Sequence, residues 1–457
     1  TTGYISKATI EDCVDVLRSY RRVLNEFQMT DPGQVRVVAT SAVREARNSL
    51  AFLDRVYIAT GLTVEPIDEA EVNRVTFMGI QPYLKSDAAL RASKSVVMEV
   101  GGGSTEVLLI NNGNVVFAHT YRLGSLRLHK TLESLRAPVT KLRDIMEQQI
   151  DKTVAQILER LPDGGEVQLI ALGSDIRFAV NQLQPDWNRT QKASVPLAAL
   201  EQFTERLLKL SADKIEHRYH VTFPEAETVG PALLTYVHMA RALHVDQIGV
   251  TNTNLRDGLL QELAAPNAWS DEFRAQIVRS SRNLGRKYHY DEAHSRHVAE
   301  LGRKLFLALQ DEHQLERRYE VILYVAALLH SIGHYVSTRS MHKHSLYLIR
   351  TSELFGLSKK DLLLVALVAR YHRRASPQPT HEGYGTLARD ERVAVAKLAA
   401  ILRIAIALDD SRSQRIRKLS CHKRDGRLVI SVPDVGDLAL EQLAVKQGCG
   451  LFEETYG

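Results

Sequence analysis

The residues Lys94-Ser-Val-Val-Met-Glu-Val100 run without a break into Gly101, Gly102 and Gly103. An apolar run of this length ending in glycines reads as a buried strand with a turn at its end. Residues 106–110 and 115–119 follow as two further strands, and Asn111-Asn-Gly-Asn114 between them is a strong hairpin signal. Strands are also expected at 35–39, 63–67 and 167–172, with helices at 9–29, 49–60 and 69 to about 84. Strand and helix alternate to about Ala264, the pattern of an α/β fold. From Asp271 to about Ala407 the pattern is helix after helix, an all-α domain. Short strands return at 427–432, followed by an amphipathic helix near 438–446. Pro266-Asn-Ala-Trp269 is the expected linker.

The chain has 457 residues, enough for roughly three domains at about 150 residues each. No stretch is long and apolar enough for a membrane span, and the start has neither a basic region nor an apolar signal core. Cys13, Cys421 and Cys449 lie far apart and fit neither a disulfide scaffold nor paired zinc spacing. They point to reduced thiols in the cytoplasm. The chain begins with Thr1 rather than Met and reads as incomplete at its start. Lys and Arg number 59 against 54 Asp and Glu, a net charge of +5 that is compatible with a polyanionic ligand.

Met98-Glu-Val-Gly-Gly-Gly-Ser-Thr-Glu106 is the sharpest chemical signal. Consecutive glycines let backbone N–H groups approach a ligand, and Ser104 and Thr105 add hydroxyls, a combination suited to phosphate oxygens. Glu99 and Glu106 flank the loop, and carboxylates beside phosphate hold Mg²⁺ or orient water. The bland alternative is a tight hairpin with two solvated glutamates. Thr40, Ser41 and Arg44 stand just past another strand end, where ligands of open α/β sheets gather and where Arg grips phosphate with two donors. The alternative there is a helix N-cap and a surface charge.

Ala39-Thr-Ser-Ala-Val-Arg-Glu-Ala46, Ile67-Asp-Glu-Ala-Glu-Val-Asn-Arg-Val-Thr-Phe-Met-Gly79, the glycine loop, Ala171-Leu-Gly-Ser-Asp-Ile-Arg177 and Asn254-Leu-Arg-Asp-Gly258 together resemble the exopolyphosphatase/guanosine pentaphosphatase (Ppx/GppA) phosphatases. The resemblance implies an actin-like, ribonuclease H-like α/β part of two lobes, then an all-α HD-like domain and a small α+β C-terminal segment. The expected divisions are 1–78 for an incomplete first lobe, 79–265 for the second lobe, 270–415 for the helical domain and 416–457 for the last segment. The family's opening phosphate loop, of the type Asp-Leu-Gly-Ser-Asn-Ser, is absent from this chain.

The implied activity is hydrolysis of terminal phosphoanhydride bonds of inorganic polyphosphate with Mg²⁺, releasing orthophosphate. Guanosine pentaphosphate 5′-phosphohydrolysis is the first alternative, and a catalytically weak polyphosphate or nucleotide binder the second. Gly102, Gly103, Ser104, Thr105, Arg44, Gly173 and Ser174 would bind phosphate, Glu99 and Glu106 the metal, and Glu71 and Glu106 would carry catalysis. Glu71 enters because the family's proposed catalytic glutamate, aligned on Arg74, falls on Val72. Neighbours on a helix point about 100° apart, so Glu71 replaces it only with a shift of register.

In the helical domain His294, His330, His342-Lys-His-Ser345, Arg370-Tyr-His-Arg-Arg374 and Leu402-Arg-Ile404…Ala407-Leu-Asp409 carry the HD resemblance. Ser331 and Ile406 stand where the HD metal site has carboxylates, so His294 and His330 are expected as packed core residues rather than metal ligands. His342, Lys343, His344, Arg370 and Arg373, with His334, Arg339, His372, Arg374, Arg412 and Arg415, would form a polyanion channel if they share one groove. The family also implies a homodimer, and neither a membrane partner nor a specific nucleic acid is expected.

Overall fold

The two hydrophobic periods separate into two units in the computed structural model, Thr1–Ala268 and Trp269–Gly457. The structure describes residues 3–29, 31–87, 93–135, 139–161, 165–264, 271–424 and 427–457. The expected linker at 266–269 lies outside the described residues, and the expected division at 78/79 falls within a continuous helix.

In the first unit α1 (Lys7–Glu26), β1 (Val37–Ala39), α2 (Ser41–Arg44), α3 (Ser49–Thr60), β2 (Val64–Pro66) and α4 (Glu69–Ser86) come first. Strands β1 and β2 pair in parallel, and Val14, Phe52, Val56 and Val64 form a small core beside them. Asp68 caps α4 by accepting from Glu71 N at 2.9 Å.

A six-stranded sheet follows, built from β3 (Lys94–Val100), β4 (Thr105–Asn111), β5 (Asn114–Tyr121), β6 (Val167–Leu172), β7 (Ala193–Pro196) and β8 (Gln247–Val250). Its order is β5-β4-β3-β6-β8-β7. Strands β3, β6 and β8 are mutually parallel, while β4, β5 and β7 run against their neighbours. Asn112 and Gly113 both take positive φ between β4 and β5, the backbone of the expected Asn-Gly hairpin turn. The helices of this half are α5 (Ser125–Leu135), α6 (Val139–Leu158), α7 (Ser174–Leu183), α8 (Leu197–Leu208), α9 (Ala212–Tyr219), α10 (Phe223–Ala242) and α11 (Leu255–Ala264). Helix α10 packs against β3 and α5 to α9, with Tyr236 fully buried.

The second unit is helical: α12 (Asp271–Lys287), α13 (Glu292–Ala308), α14 (Gln310–His313), α15 (Arg317–Leu329), α16 (Met341–Arg350), α17 (Lys359–Arg370) and α18 (Arg389–Ala407). A two-stranded antiparallel ribbon, β9 (Ser420–Arg424) with β10 (Arg427–Ser431), and helices α19 (Ala439–Gly448) and α20 (Gly450–Tyr456) complete it. Helix α15 is buried over almost its whole length and lies among α12, α13, α17 and α18. No helix of the described residues is long and apolar enough to cross a membrane.

Helices α4 and α11 cross at glycine. A Cβ on Gly258 would stand 2.0 Å from the Val75 carbonyl oxygen, a backbone atom that cannot move aside alone. Gly258→Ala is therefore expected to lower the unfolding free energy by roughly 3 kcal/mol, at the severe end of overpacking, measured as a fall in the denaturant midpoint. An unchanged midpoint contradicts this close approach.

Candidate active site

Strands β3 and β6 are parallel neighbours, and Glu99↔Leu172 is their last register pair. Beyond that pair each chain turns away, β3 into Gly101–Ser104 and β6 into Gly173. The buried Tyr236 hydroxyl spans this parting: it accepts from Val100 N at 2.8 Å and donates to the Leu172 carbonyl. Ligands of such sheets settle where carboxyl-end loops diverge.

The glycine loop is the turn of the β3–β4 hairpin, closed by Gly101 N donating to Ser104 O at 2.8 Å. Its carbonyl oxygens face the start of α5. Ser125 N donates to Gly101 O and Arg127 N to Gly102 O, each at 3.0 Å. Arg127 Nε donates to Gly103 O at 2.8 Å. Gly124 makes this approach possible, because a Cβ there would meet the Gly102 carbonyl oxygen at 2.4 Å. With the carbonyls tied back, the N–H groups of Gly102 and Gly103 have no partner among the described residues. The loop is partly exposed at Gly101, Gly103 and Ser104 and open at Gly102.

Glu99 and Glu106 are direct cross-strand partners on one face of the sheet. Burial and the charge of Glu106 push the Glu99 carboxyl up to about 7. Burial likewise raises Glu106, against the Ser104 hydroxyl that donates to it at 2.7 Å and against the charge of Arg44. Two shielded carboxylates side by side are a hard-oxygen donor set short of positive charge, which fits Mg²⁺ completed by water and phosphate oxygens. Among the described residues no group of three or more His, Cys, Asp and Glu has metal-site geometry.

Arg44 stands beside this pair. It donates to Ile67 O at 2.8 Å and lies 3.6 Å from Glu69, which opens α4. The charges of Arg44 and Glu69 both reach Glu106. Ser41 occupies the space over Gly103, where a Cβ would stand 2.7 Å from its hydroxyl oxygen. Thr40 holds the N-cap position of α2 without a side-chain cap bond. Gly173 has φ +110°, and Ser174 behind it is exposed at the start of α7.

Two expected residues are spoken for. The Thr105 side chain is fully buried and its hydroxyl donates to Leu123 O, so it serves the hairpin and not a ligand. Glu71 is held by Arg74 through bonds of 2.8 and 2.5 Å and by Arg36 at 3.3 Å, and Glu262 joins both arginines. Despite burial, these guanidinium groups hold the Glu71 carboxyl below its ordinary range, which makes it a poor proton acceptor.

Two residues outside the expected set belong here. Asp175, in the first turn of α7, is raised to about 6 by burial and by the charge of Glu225. The charges of Glu99, Asp175 and Glu106 all bear on the Tyr236 phenol. Asp175 stands in the Ala171–Arg177 motif of the resemblance, where no role was expected of it, and Tyr236 carries no sequence signal.

In the second unit His294 and His330 are both buried. His294 Nδ1 bonds Asp409 at 2.8 Å and His330 Nδ1 bonds Ala327 O at 2.7 Å. Asp409, the last residue of the Leu402…Asp409 motif and three past Ile406, thus places a carboxylate on His294.

The Ppx/GppA phosphatase family model matches residues 1–266, and the model of Ppx/GppA phosphatase domain III matches 278–435. A guanosine-5′-triphosphate,3′-diphosphate pyrophosphatase of Photobacterium profundum is 22% identical over 407 residues, 86% of this chain and 73% of its own. An exopolyphosphatase from Cytophaga hutchinsonii superposes with a TM-score of 0.50 at 20% identity, over 57% of this chain and 83% of its own. An exopolyphosphatase-like protein does so with a TM-score of 0.51 at 18% identity, over 57% and 86%. At these identities the two solved structures establish shared fold.

Because the folded protein holds Glu99 above its ordinary pKa of 4.5, folding favours the protonated form. That stability is present below about pH 4.5 and is lost as pH rises through about 7. Without metal, Glu99→Gln is expected to stabilise the protein at about pH 8 by on the order of 1–3 kcal/mol and to have little effect at about pH 4. Thermal melting at the two pH values checks this, and an equal effect at both contradicts it.

Proposed function

The chain belongs to the Ppx/GppA phosphatase family, and from that premise we propose that it hydrolyses terminal phosphoanhydride bonds. The observation that carries this reading is the β3–β4 hairpin, with free amides at Gly102 and Gly103 beside the Glu99–Glu106 pair. We read the first unit as actin-like, the second as HD-like and the protein as cytoplasmic, its three cysteines being free thiols.

The terminal phosphoryl group lies against the amides of Gly102 and Gly103 and the Ser104 hydroxyl, with Arg44 on the oxygens behind it. Glu99 and Glu106 are the residues that would hold Mg²⁺, which when bound supplies positive charge for the phosphate oxygens. Glu69 takes the proton from the attacking water. It is half-exposed, at the open end of α4 beside Arg44, whereas neighbouring Glu71 is locked between arginines. Gly173 and Ser174 close the opposite side across the Tyr236 bridge, and Asp175 orients water there.

Inorganic polyphosphate is the substrate we favour, in keeping with the solved exopolyphosphatase of the same fold. Guanosine pentaphosphate is the second reading, carried by the Photobacterium relative that aligns over most of the chain. Competition separates them: long polyphosphate should suppress phosphate release from guanosine pentaphosphate at low concentration, and failure to compete favours the nucleotide.

Phosphate release by the Mg²⁺-supplemented protein tests the roles. Glu69→Gln and Glu106→Gln are each expected to lower kcat by about 10²–10³-fold. Glu71→Gln should cost stability through its arginine partners while leaving kcat within about threefold. A kcat loss confined to Glu71→Gln would reverse the assignment of the base. Absence of turnover in the unsubstituted chain, with polyphosphate still bound, would establish a binder.

A further inference from the structure

The parallel ladder of β3 and β6 ends at Glu99↔Leu172, one residue before the chain enters the glycine loop. In an unbroken parallel ladder a donor on one strand meets a carbonyl of its neighbour directly. Here the next donor on β3, Val100 N, goes to the Tyr236 hydroxyl at 2.8 Å, and that hydroxyl donates to the carbonyl of Leu172. One phenol oxygen therefore stands inside the ladder, joining a donor on one strand to an acceptor on the other. Tyr236 reaches this point from α10, which packs against β3. Every residue of α10 from Ala232 to Val237 is buried, so the ring is held on all sides and its hydroxyl has one place to be.

Gly173 lies against the same oxygen. It takes φ +110°, and a Cβ there would stand 3.5 Å from the Tyr236 hydroxyl, 3.6 Å from Glu99 Cγ and 3.7 Å from Val100 O. A single point thus touches the phenol, the stem of Glu99 and the chain entering the glycine loop. The two facing carboxylates differ in how they are held. Ser104 donates to Glu106 at 2.7 Å, whereas the Glu99 side chain has no hydrogen bond or ion pair among the described residues. The position of Glu99 is set by its backbone and by what packs on its stem.

We propose that Tyr236 is a positioning residue for the hydrolysis read above: its hydroxyl wedges β3 from β6, and so sets where Glu99 stands beside Glu106 and how far the glycine loop lies from Gly173. The chemistry served rests on that reading, while the wedge rests on the hydrogen bonds alone. Tyr236 acts through Val100 and Glu99, not on the phosphate. Removing its one oxygen lets Val100 N and Leu172 O meet, so the ladder gains a bond and the mouth between the two turns narrows. Because the freed donor and acceptor satisfy each other, the cost falls on the site and not on folding. Groups that orient metal-binding side chains from behind are typically worth about 10–100-fold in metal affinity or activity.

The test compares the full-length protein with its Tyr236→Phe and Thr235→Val variants. Thr235 is a matched control: it is equally buried on the same helix, and its hydroxyl donates within that helix, to Pro231 O at 2.9 Å. Mg²⁺ alone, titrated by calorimetry without substrate, is expected to bind Tyr236→Phe about tenfold more weakly, and kcat for phosphate release at saturating Mg²⁺ to fall by about tenfold. Thr235→Val should match the unsubstituted protein in both measurements. All three proteins should melt within a few degrees of one another, and a crystal structure of Tyr236→Phe should show Val100 N bonded to Leu172 O. Equal Mg²⁺ binding by Tyr236→Phe and the unsubstituted protein, absence of binding in both included, overturns the proposal. So does an equal loss in Thr235→Val, or a Tyr236→Phe protein that melts far below the control, which would mark the hydroxyl as a bond needed for folding. If the unsubstituted protein releases no phosphate while Tyr236→Phe still weakens Mg²⁺ binding, the hydrolase reading falls and the wedge stands.

Discussion

The first unit depends on which way three peptide groups face. Every carbonyl from Gly101 to Gly103 is tied to the start of α5, by Ser125 N, Arg127 N and Arg127 Nε. A peptide whose oxygen is drawn to one side presents its N–H to the other. The open amides of Gly102 and Gly103 are thus a consequence of how α5 docks, not of glycine flexibility. Gly124 belongs to this arrangement as much as the loop glycines do, since any Cβ there collides with the loop backbone. A positive dipole is held in place before any ligand arrives, the condition under which electrostatic stabilisation costs no reorganisation.

Placing Glu99 opposite Glu106 works against folding, since like charges across a strand pair repel and burial adds to the penalty. The protein compensates only in part. Ser104 donates to Glu106, and Arg44 contributes charge without touching either carboxylate in the ion-pair geometry it adopts with Glu69. The deficit of positive charge is one that a divalent cation would satisfy. In contrast, the Arg36–Glu71–Arg74–Glu262 cluster is internally balanced and ties β1, α4 and α11 together. Two acidic residues on one helix turn therefore stand in different surroundings, Glu71 between two arginines and Glu69 half-exposed beside Arg44.

Local chemistry explains what could be read from the residues alone. The Asn-Gly turn, the strand running into glycines and the helix at Ser49–Thr60 are specified by near neighbours, and all stand where expected. Thr105 misled because its hydroxyl is claimed by Leu123, on the chain leaving β5, a partner that only the hairpin register brings close. Glu71 misled because Arg36 and Glu262 come from opposite ends of the first unit. Tyr236 was silent for the same reason. A tyrosine in an apolar helix reads as core, and its bridge between two strand ends exists only once α10 lies across the sheet.

The same distinction governs the helical unit. His294 and His330 kept the spacing of a metal site, yet their hydrogen bonds show them committed to Asp409 and to backbone. Arg412 adds positive charge beside His330, and Arg373 does so beside His372.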